Sequence, residues 1–281
     1  MARGPLNEGE VKRYREDGFV LVRGMFSRRE IEVLHRSARD DKALDDHSFG
    51  RKDGQGGVVR LSLWNHPGNG IYGMFARCRS LVDSAEALLG GEVYHYHSKM
   101  IMKEPKVGGA WAWHQDYGYW YQNGVLFPLL TSVFIAVDRA TRENGCLQVL
   151  KGSHLAGRLD HILTGDQAGA DLERVNELAQ RLELVHLEME PGDAVFFDAN
   201  LLHRSAQNRS DYPRWSMICC YNAARNDPYK DAHHPRYTPL SKVEDSAILE
   251  VGAKRFSEDA SDVAWLDPEE DVSASSLPEQ R

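Results

Sequence analysis

From residue 92 onward the chain is a succession of short apolar runs, each closed by turn residues: VYHYHSKMIMKEP, LTSVFIAVD, GCLQVLKG, LELVHLEMEPGDAVFFD and RWSMICCYNAA. Runs of this length, rich in β-branched and aromatic residues, read as strands. Asn144-Gly145 and Pro191-Gly192-Asp193 supply turn chemistry between them. No helical pattern alternates with the runs, so a parallel sheet built from βαβ units is excluded, and a sandwich or jelly roll is expected. The N-terminal third has a different texture. Residues 7–16 read as a short helix that Asn7 can cap, GFVLVRGMF as a strand, and RREIEVLHRSARDD as a helix opened by a Ser27–Glu30 capping box. RSLVDSAEALLGG reads as a further helix ending at Gly90 and Gly91. The polar, glycine-rich stretch 45–60 is expected to be loop.

Charge divides the chain unevenly. The formal net charge is −8, yet residues 257–281 carry eight acids against Arg281 alone, so the rest is close to neutral. The expected organisation is one domain over 1–256, with its jelly-roll core at about 92–224, followed by an acidic flexible tail that Trp265 could pin. A nearly neutral body argues against a nucleic-acid surface. The start MARGPLNEGEVKRYRED has no apolar stretch, and no run of 18 apolar residues follows, so neither a secretory signal nor a membrane span is expected. Four cysteines without a paired framework, two of them adjacent in an apolar run, read as buried thiols of a cytoplasmic protein.

One constellation carries chemistry. Two histidines and a carboxylate bind Fe(II) on one side and leave positions open for a co-substrate and oxygen. His114-Gln115-Asp116 supplies two such ligands at a spacing that turns both the same way on or just after a strand. With 12 His and 22 Asp in 281 residues, about one such pair arises by chance, so its weight comes from company. His203 stands just after the run AVFFD, Ser205 two residues on, and Arg214 at the start of the next strand. An arginine there can hold a carboxylate in a bidentate pair at a distance from the metal. That suits the distal carboxylate of 2-oxoglutarate, with Ser205 adding a hydroxyl. The competing pair His186-x-Glu188 has no partner ligand at a workable spacing. His154 reads as a turn residue, and His233-His234 as a surface loop pair, or at most a lid element.

The segments GGAWAWHQDYGYW, ENGCLQVLKGSH and PGDAVFFDANLLHRSAQN, together with Arg214 and the opening YREDGFVLVRGMFS, resemble the phytanoyl-CoA dioxygenase family over most of residues 8–225. The resemblance implies a mainly β fold with peripheral helices, a double-stranded β-helix of the jelly-roll, cupin-like type. It implies Fe(II) on His114, Asp116 and His203, with 2-oxoglutarate as co-substrate and O2 as oxidant. It also implies co-substrate contacts from Arg214, Ser205 and Trp120. His97 falls where relatives often carry a glutamine or lysine that bonds the co-substrate, with Lys99 on the same strand face as the fallback.

The activity so implied is hydroxylation of an unactivated C–H bond of a small polar metabolite, releasing succinate and CO2. Tyr117, Tyr119 and Arg158 are the candidate substrate contacts. An acyl-CoA substrate and a non-catalytic jelly-roll binding module are the alternatives. A coenzyme A thioester needs several cations beside the site, and Lys103, Lys106, Arg139, Arg142, Lys151 and Arg158 serve it only if the fold brings them together. The expected partner is a small molecule, not nucleic acid or membrane, and no residue pattern fixes an oligomeric state.

Overall fold

The N-terminal helices begin where side chains can take up their first free N–H groups. Asn7 caps α1 (Glu8–Asp17) and Ser27 caps α2 (Arg28–Asp40). In each a glutamate three residues on, Glu10 or Glu30, reaches back to the cap's own N–H and completes a capping box. Gly18, left-handed at φ 82°, stops α1 and leads directly into β1 (Phe19–Val22). After α3 (Lys42–Asp46) the structure departs from the sequence reading. The stretch 45–60 holds β2 (Phe49–Lys52) and the start of β3 (Val58–His66), paired antiparallel from Phe49↔Leu61 to Lys52↔Val58. Gly54, Gly56 and Gly57 belong to the turn between these strands, where the Asp53 carboxylate accepts the N–H groups of Gln55 and Gly57.

This computed structural model describes residues 4–164, 166–254 and 263–271. After α4 (Ile71–Arg77) and α5 (Arg79–Leu89) come β4 (Val93–Lys103), β5 (Trp111–His114), α6 (Asp116–Trp120) and β6 (Leu130–Ala136). Then follow β7 (Leu147–Leu150), β8 (His161–Thr164), β9 (Gln167–Ala170), α7 (Leu172–Ala179) and β10 (Leu184–Leu187). The series ends with β11 (Ala194–Asp198), β12 (His203–Ser205), β13 (Arg214–Ala223), α8 (Ala247–Gly252) and β14 (Ala264–Trp265). Among the described residues a large antiparallel sheet runs β1-β11-β6-β13-β4-β3-β14, with β2 added beside β3, and faces a smaller sheet β10-β7-β12-β5. The fold is a jelly roll. Strands from the N-terminal third thus join the large sheet.

Alternation along each strand sorts side chains into two layers. On β13, Met217, Cys219 and Tyr221 face the helices, while Ile218 and Cys220 face the smaller sheet. On β11, Phe196 points out and Val195 and Phe197 point in. The outer layer is completed by Ile31 and Leu34 of α2, Phe75 of α4, and Leu81, Val82 and Ala85 of α5. The inner layer meets Leu147, Val149 and Leu187 of the smaller sheet. Cys219 and Cys220 are therefore neighbours in sequence that lie in opposite layers, and all four cysteines are free and buried.

Residues 263–271 of the acidic C-terminal segment sit on the domain. β14 pairs with β3, and the Trp265 ring packs against Trp64, Tyr72 and His47. The rest of the expected tail, 257–262 and 272–281, lies outside the described residues. No helix among those described is long and apolar enough to cross a membrane.

Candidate active site

The three proposed ligands meet because β5 and β12 are neighbours. His114 and His203 are a direct cross-strand pair, with ring centroids 4.0 Å apart. The chain then leaves β5 through Gln115 into α6, whose first residue is Asp116. The Nδ1 atoms of His114 and His203 lie 2.8 and 2.9 Å from the carbonyl oxygens of Ala112 and Leu201. A carbonyl can only accept, so each Nδ1 carries the proton and each Nε2 keeps its lone pair. Those Nε2 atoms stand 3.7 and 3.8 Å from Oδ1 of Asp116. The three donor atoms lie within 4.8 Å of one another, and all three residues are buried. That separation is long for a hydrogen bond but one that bonds of roughly 2 Å to a shared ion can bridge.

Electrostatics keep each ligand in its binding form. Burial drives both histidines below their usual pKa, so they stay neutral. Burial alone pushes Asp116 up, but His203, Lys99, His114 and the Tyr119 hydroxyl outweigh it and bring the carboxyl to about 2. Tyr119 donates to Oδ1 at 2.6 Å and Ser132 to Oδ2 at 2.7 Å, which fixes the carboxylate plane.

Two cavities lie near this centre; His114 and His203 line the first, and none of the three ligands lines the second. The first is lined by Lys99, Lys103, Trp111, His114, His203, Ser205 and Arg214. Arg214 is 2 % exposed, with its Nη atoms on Ser216 Oγ at 3.0 Å and Gly145 O at 2.8 Å. Its buried Nε has no hydrogen-bond partner. Across the sheet, Lys103 is the register partner of Arg214 and donates to Ser205 Oγ at 2.8 Å. Burial first, and Arg214 second, push the Lys103 pKa well down, while burial lowers Arg214 to about 10. Two buried cations side by side, with the Arg214 Nε unpartnered, favour an incoming anion, which relieves their mutual repulsion. The second cavity is walled by Arg51, His97, Lys99, Trp111, Tyr119, Gln167, His234 and Asp271. Lys99 and Trp111 border both.

A family model described as phytanoyl-CoA dioxygenase matches residues 14–216. The chain belongs to the phytanoyl-CoA dioxygenase family. It is 31 % identical to L-proline trans-4-hydroxylase of Streptomyces griseoviridis, over 90 % of this chain and 98 % of that one. It is 29 % identical to ectoine dioxygenase of Sphingopyxis alaskensis, over 88 % of this chain and 86 % of that one. The crystal structure of EctD from S. alaskensis with 2-oxoglutarate and 5-hydroxyectoine is 27 % identical, covers 87 % of this chain and 86 % of that one, and superposes with a TM-score of 0.70. As a phytanoyl-CoA dioxygenase family member the chain is a non-haem, Fe(II)- and 2-oxoglutarate-dependent dioxygenase with O2 as oxidant. The donor set fits iron, two neutral imidazoles and one carboxylate on one side, and the first cavity fits the co-substrate's distal carboxylate.

Within this family enzyme the sequence candidates separate. Arg214, Ser205 and Lys99 line the first cavity; His97, Lys99 and Tyr119 line the second. His97 is thus not beside Arg214. A bulge in β4, where Cys220↔His97 gives way to Tyr221↔His95, turns Tyr96 and His97 to the same side. Trp120 lines neither cavity; it is fully buried against Tyr96, His97 and Tyr119. The Tyr117 hydroxyl donates to the carbonyls of Val125 and Leu126, away from both cavities. Arg158 lies over Tyr121 and pairs with Asp160. Lys106, Arg139 and Lys151 are engaged with Asp211, Glu190 and Asp17, and of the six cations weighed for an acyl-CoA only Lys103 lines either of the two cavities. His186 sits on β10, at the opposite edge of the smaller sheet from His114. His234 is not on the surface: it is 4 % exposed and stacks on His97 with centroids 4.3 Å apart.

The sequence reading weighed Lys103 only as one of six cations for an acyl-CoA and passed over Arg51, His161 and Gly118. The fixed tail of β4 carried the signal for Lys103, which shares the face of Lys99 two pleats away. His161 accepts the Gln115 N–H at 2.9 Å, between two of the ligands, and nothing local in its sequence indicates this role.

Proposed function

We propose that the enzyme hydroxylates an unactivated C–H bond of a small, polar, free metabolite, with His114, Asp116 and His203 holding the iron and Arg214, Ser205 and Lys103 holding 2-oxoglutarate. The observation that carries this reading is a buried triad whose two histidines line a cavity that also holds a buried arginine and lysine. When bound, iron and 2-oxoglutarate supply the oxidising chemistry, consuming O2, releasing succinate and CO2, and delivering a hydroxyl.

The chain's own residues bind, orient and exclude water. The carbonyls of Ala112 and Leu201 hold the imidazoles in one tautomer, and Tyr119 and Ser132 hold the carboxylate. Arg214 sets the register of the co-substrate by gripping its far end. Trp111, Phe134, Phe197 and Ile218 line the same cavity and keep it dry, which strengthens the charge contacts. Lys99 stands near the Asp116 carboxylate and lowers its pKa, a fixed cation beside the metal centre.

A free metabolite is favoured over an acyl-CoA because the second cavity offers Arg51 and Lys99 as its cations and two acids, Asp166 and Asp271, among them. A pyrophosphate and 3′-phosphate need more positive charge than that. The relatives named for proline and ectoine support the same direction. The test is succinate formation by the iron-loaded enzyme with free amino acids, amines and phosphonates beside acyl-CoAs. Coupled turnover with free metabolites is expected; coupled turnover with acyl-CoAs alone contradicts the reading.

A further inference from the structure

Gln115 joins β5 to α6, between the ligands His114 and Asp116, in extended backbone at φ −116° and ψ 135°. Its side chain therefore leaves on the face opposite theirs. It makes no cap bond to α6, so the start of that helix is not what it serves. The residue is 0 % exposed, and each of its hydrogen-bonding groups is used. Nε2 donates to Gly157 O and to Asn200 O, both at 2.7 Å, and Oε1 accepts the Leu159 N–H at 2.7 Å. The backbone N–H goes to His161 and the backbone carbonyl accepts from Gly118. Two donations and one acceptance fix which end of the side chain is nitrogen. Two segments far apart in sequence are thereby held to one residue. The first is 157–161. The second, 199–203, carries His203: Asn200 O meets Gln115, and the next carbonyl, Leu201 O, holds the His203 Nδ1–H. The Tyr117 N–H adds a bond to Ala199 O at 2.9 Å.

We propose that Gln115 is a positioning residue for the metal centre: its one buried amide locks the turn bearing His114 and Asp116 to the loop bearing His203. This rests on reading those three residues as the iron ligands. The ladder between β5 and β12 aligns the two histidines, but Asp116 lies beyond its end. Tyr119 and Ser132 orient the Asp116 carboxylate, and neither belongs to the His203 loop. Gln115 supplies that missing tie, because the backbone it shares with both neighbouring ligands is bonded through its side chain to Asn200. Ligands that already converge bind an ion without first having to be ordered. The requirement is chemically narrow. A glutamate keeps the shape and the acceptor for Leu159 but cannot make both donations, and a methionine makes none of the three bonds.

The experiment measures anaerobic Fe(II) binding to the metal-free full chain by calorimetry, with Co(II) as a spectroscopic probe of the same site. The proteins are wild type, Gln115→Met, Gln115→Glu and a control, Asn226→Leu, each checked for its fold by circular dichroism. Asn226 is a buried amide that also donates twice, to Phe127 O and Asn222 Oδ1, and accepts once, from the Phe127 N–H. It lines neither of the two cavities. All three variants should be less stable in denaturant than wild type. Only the two at Gln115 should weaken Fe(II) binding, by about 10- to 100-fold, the range for groups that hold metal ligands in place. Only those two should alter the visible absorption of bound Co(II). Gln115→Glu, the closer mimic, carries the test should Gln115→Met not fold. The proposal is overturned if a folded Gln115 variant binds Fe(II) within about threefold of wild type, well inside that range, or if Asn226→Leu loses as much affinity as the Gln115 variants. A wild type that binds no Fe(II) would instead remove the triad as an iron site, and this inference with it.

Discussion

A single side chain, Arg214, carries the proposed grip on 2-oxoglutarate. Two of its donors are used internally and its Nε is left over. Removing a buried bidentate partner from a carboxylate costs about 2–5 kcal/mol. Arg214→Ala should therefore raise the half-saturation for 2-oxoglutarate about a hundredfold, read by titrating 2-oxoglutarate at fixed iron; an unchanged value contradicts the assignment. Ser205→Ala should shift it in the same direction by the ~1 kcal/mol of one hydrogen bond. At this scale the sequence was informative where a motif marks the residue, by the short spacing of His114 and Asp116 and by the family resemblance for His203, Ser205 and Arg214. His114, Asp116, His203, Ser205 and Arg214 all lie around one centre. It was uninformative where contact depends on chain segments far apart, as for Lys103 on Ser205 or Asp271 on Arg51. The Trp120 indole is buried against Tyr96, His97 and Tyr119 and lines neither of the two cavities.

Among the elements, α6 is the one that makes the site. It must turn Asp116 back toward His114 within five residues, and His161 packs against it so closely that a Cβ at Gly118 would lie 2.0–2.3 Å from three atoms of the imidazole ring. Gly118→Ala should push His161 off the Gln115 N–H and tilt the loop that carries two ligands. The expected cost is about 1–3 kcal/mol of stability, as for other overpacked sites, with a larger fall in iron affinity than in thermal stability. Equal Fe(II) affinity in the variant, measured by calorimetry, would remove α6 from this role. Helix starts and one turn were legible because local chemistry fixes them: two capping boxes and the Asn144-Gly145 turn need no distant partner. The β2–β3 hairpin was not, because its turn is so rich in glycine and polar residues that the flanking strands read as loop. The β4 bulge was equally hidden, since an extra residue shows only against its partner strand.

The whole molecule stores several histidines as neutral, buried groups. Burial is the main cause that brings His95 to about 3 and His161 to about 4. An exposed histidine titrates near 6.5, so as pH falls the unfolded chain takes up protons that the folded protein refuses. Stability is full above about 6.5 and declines toward 4. Asp198, which burial raises to about 6, works in the opposite sense and offsets part of the loss. Denaturant midpoints of the metal-free protein at pH 7 and 4.5 should differ by on the order of 3 kcal/mol; equal midpoints contradict this. The jelly roll was legible as a class from the run of strands, whereas its layering was not. Which face of β13 meets the helices depends on the register of the whole sheet, and so does the seating of residues 263–271 at the mouth of a cavity. All of this organisation converges on one metal centre, so Fe(II) binding is the decisive measurement. Anaerobic titration of the metal-free protein should give one Fe(II) per chain, and the same titration of His203→Ala, with its fold checked by circular dichroism, should show that site lost. An undiminished single site in a folded His203→Ala protein would contradict the account.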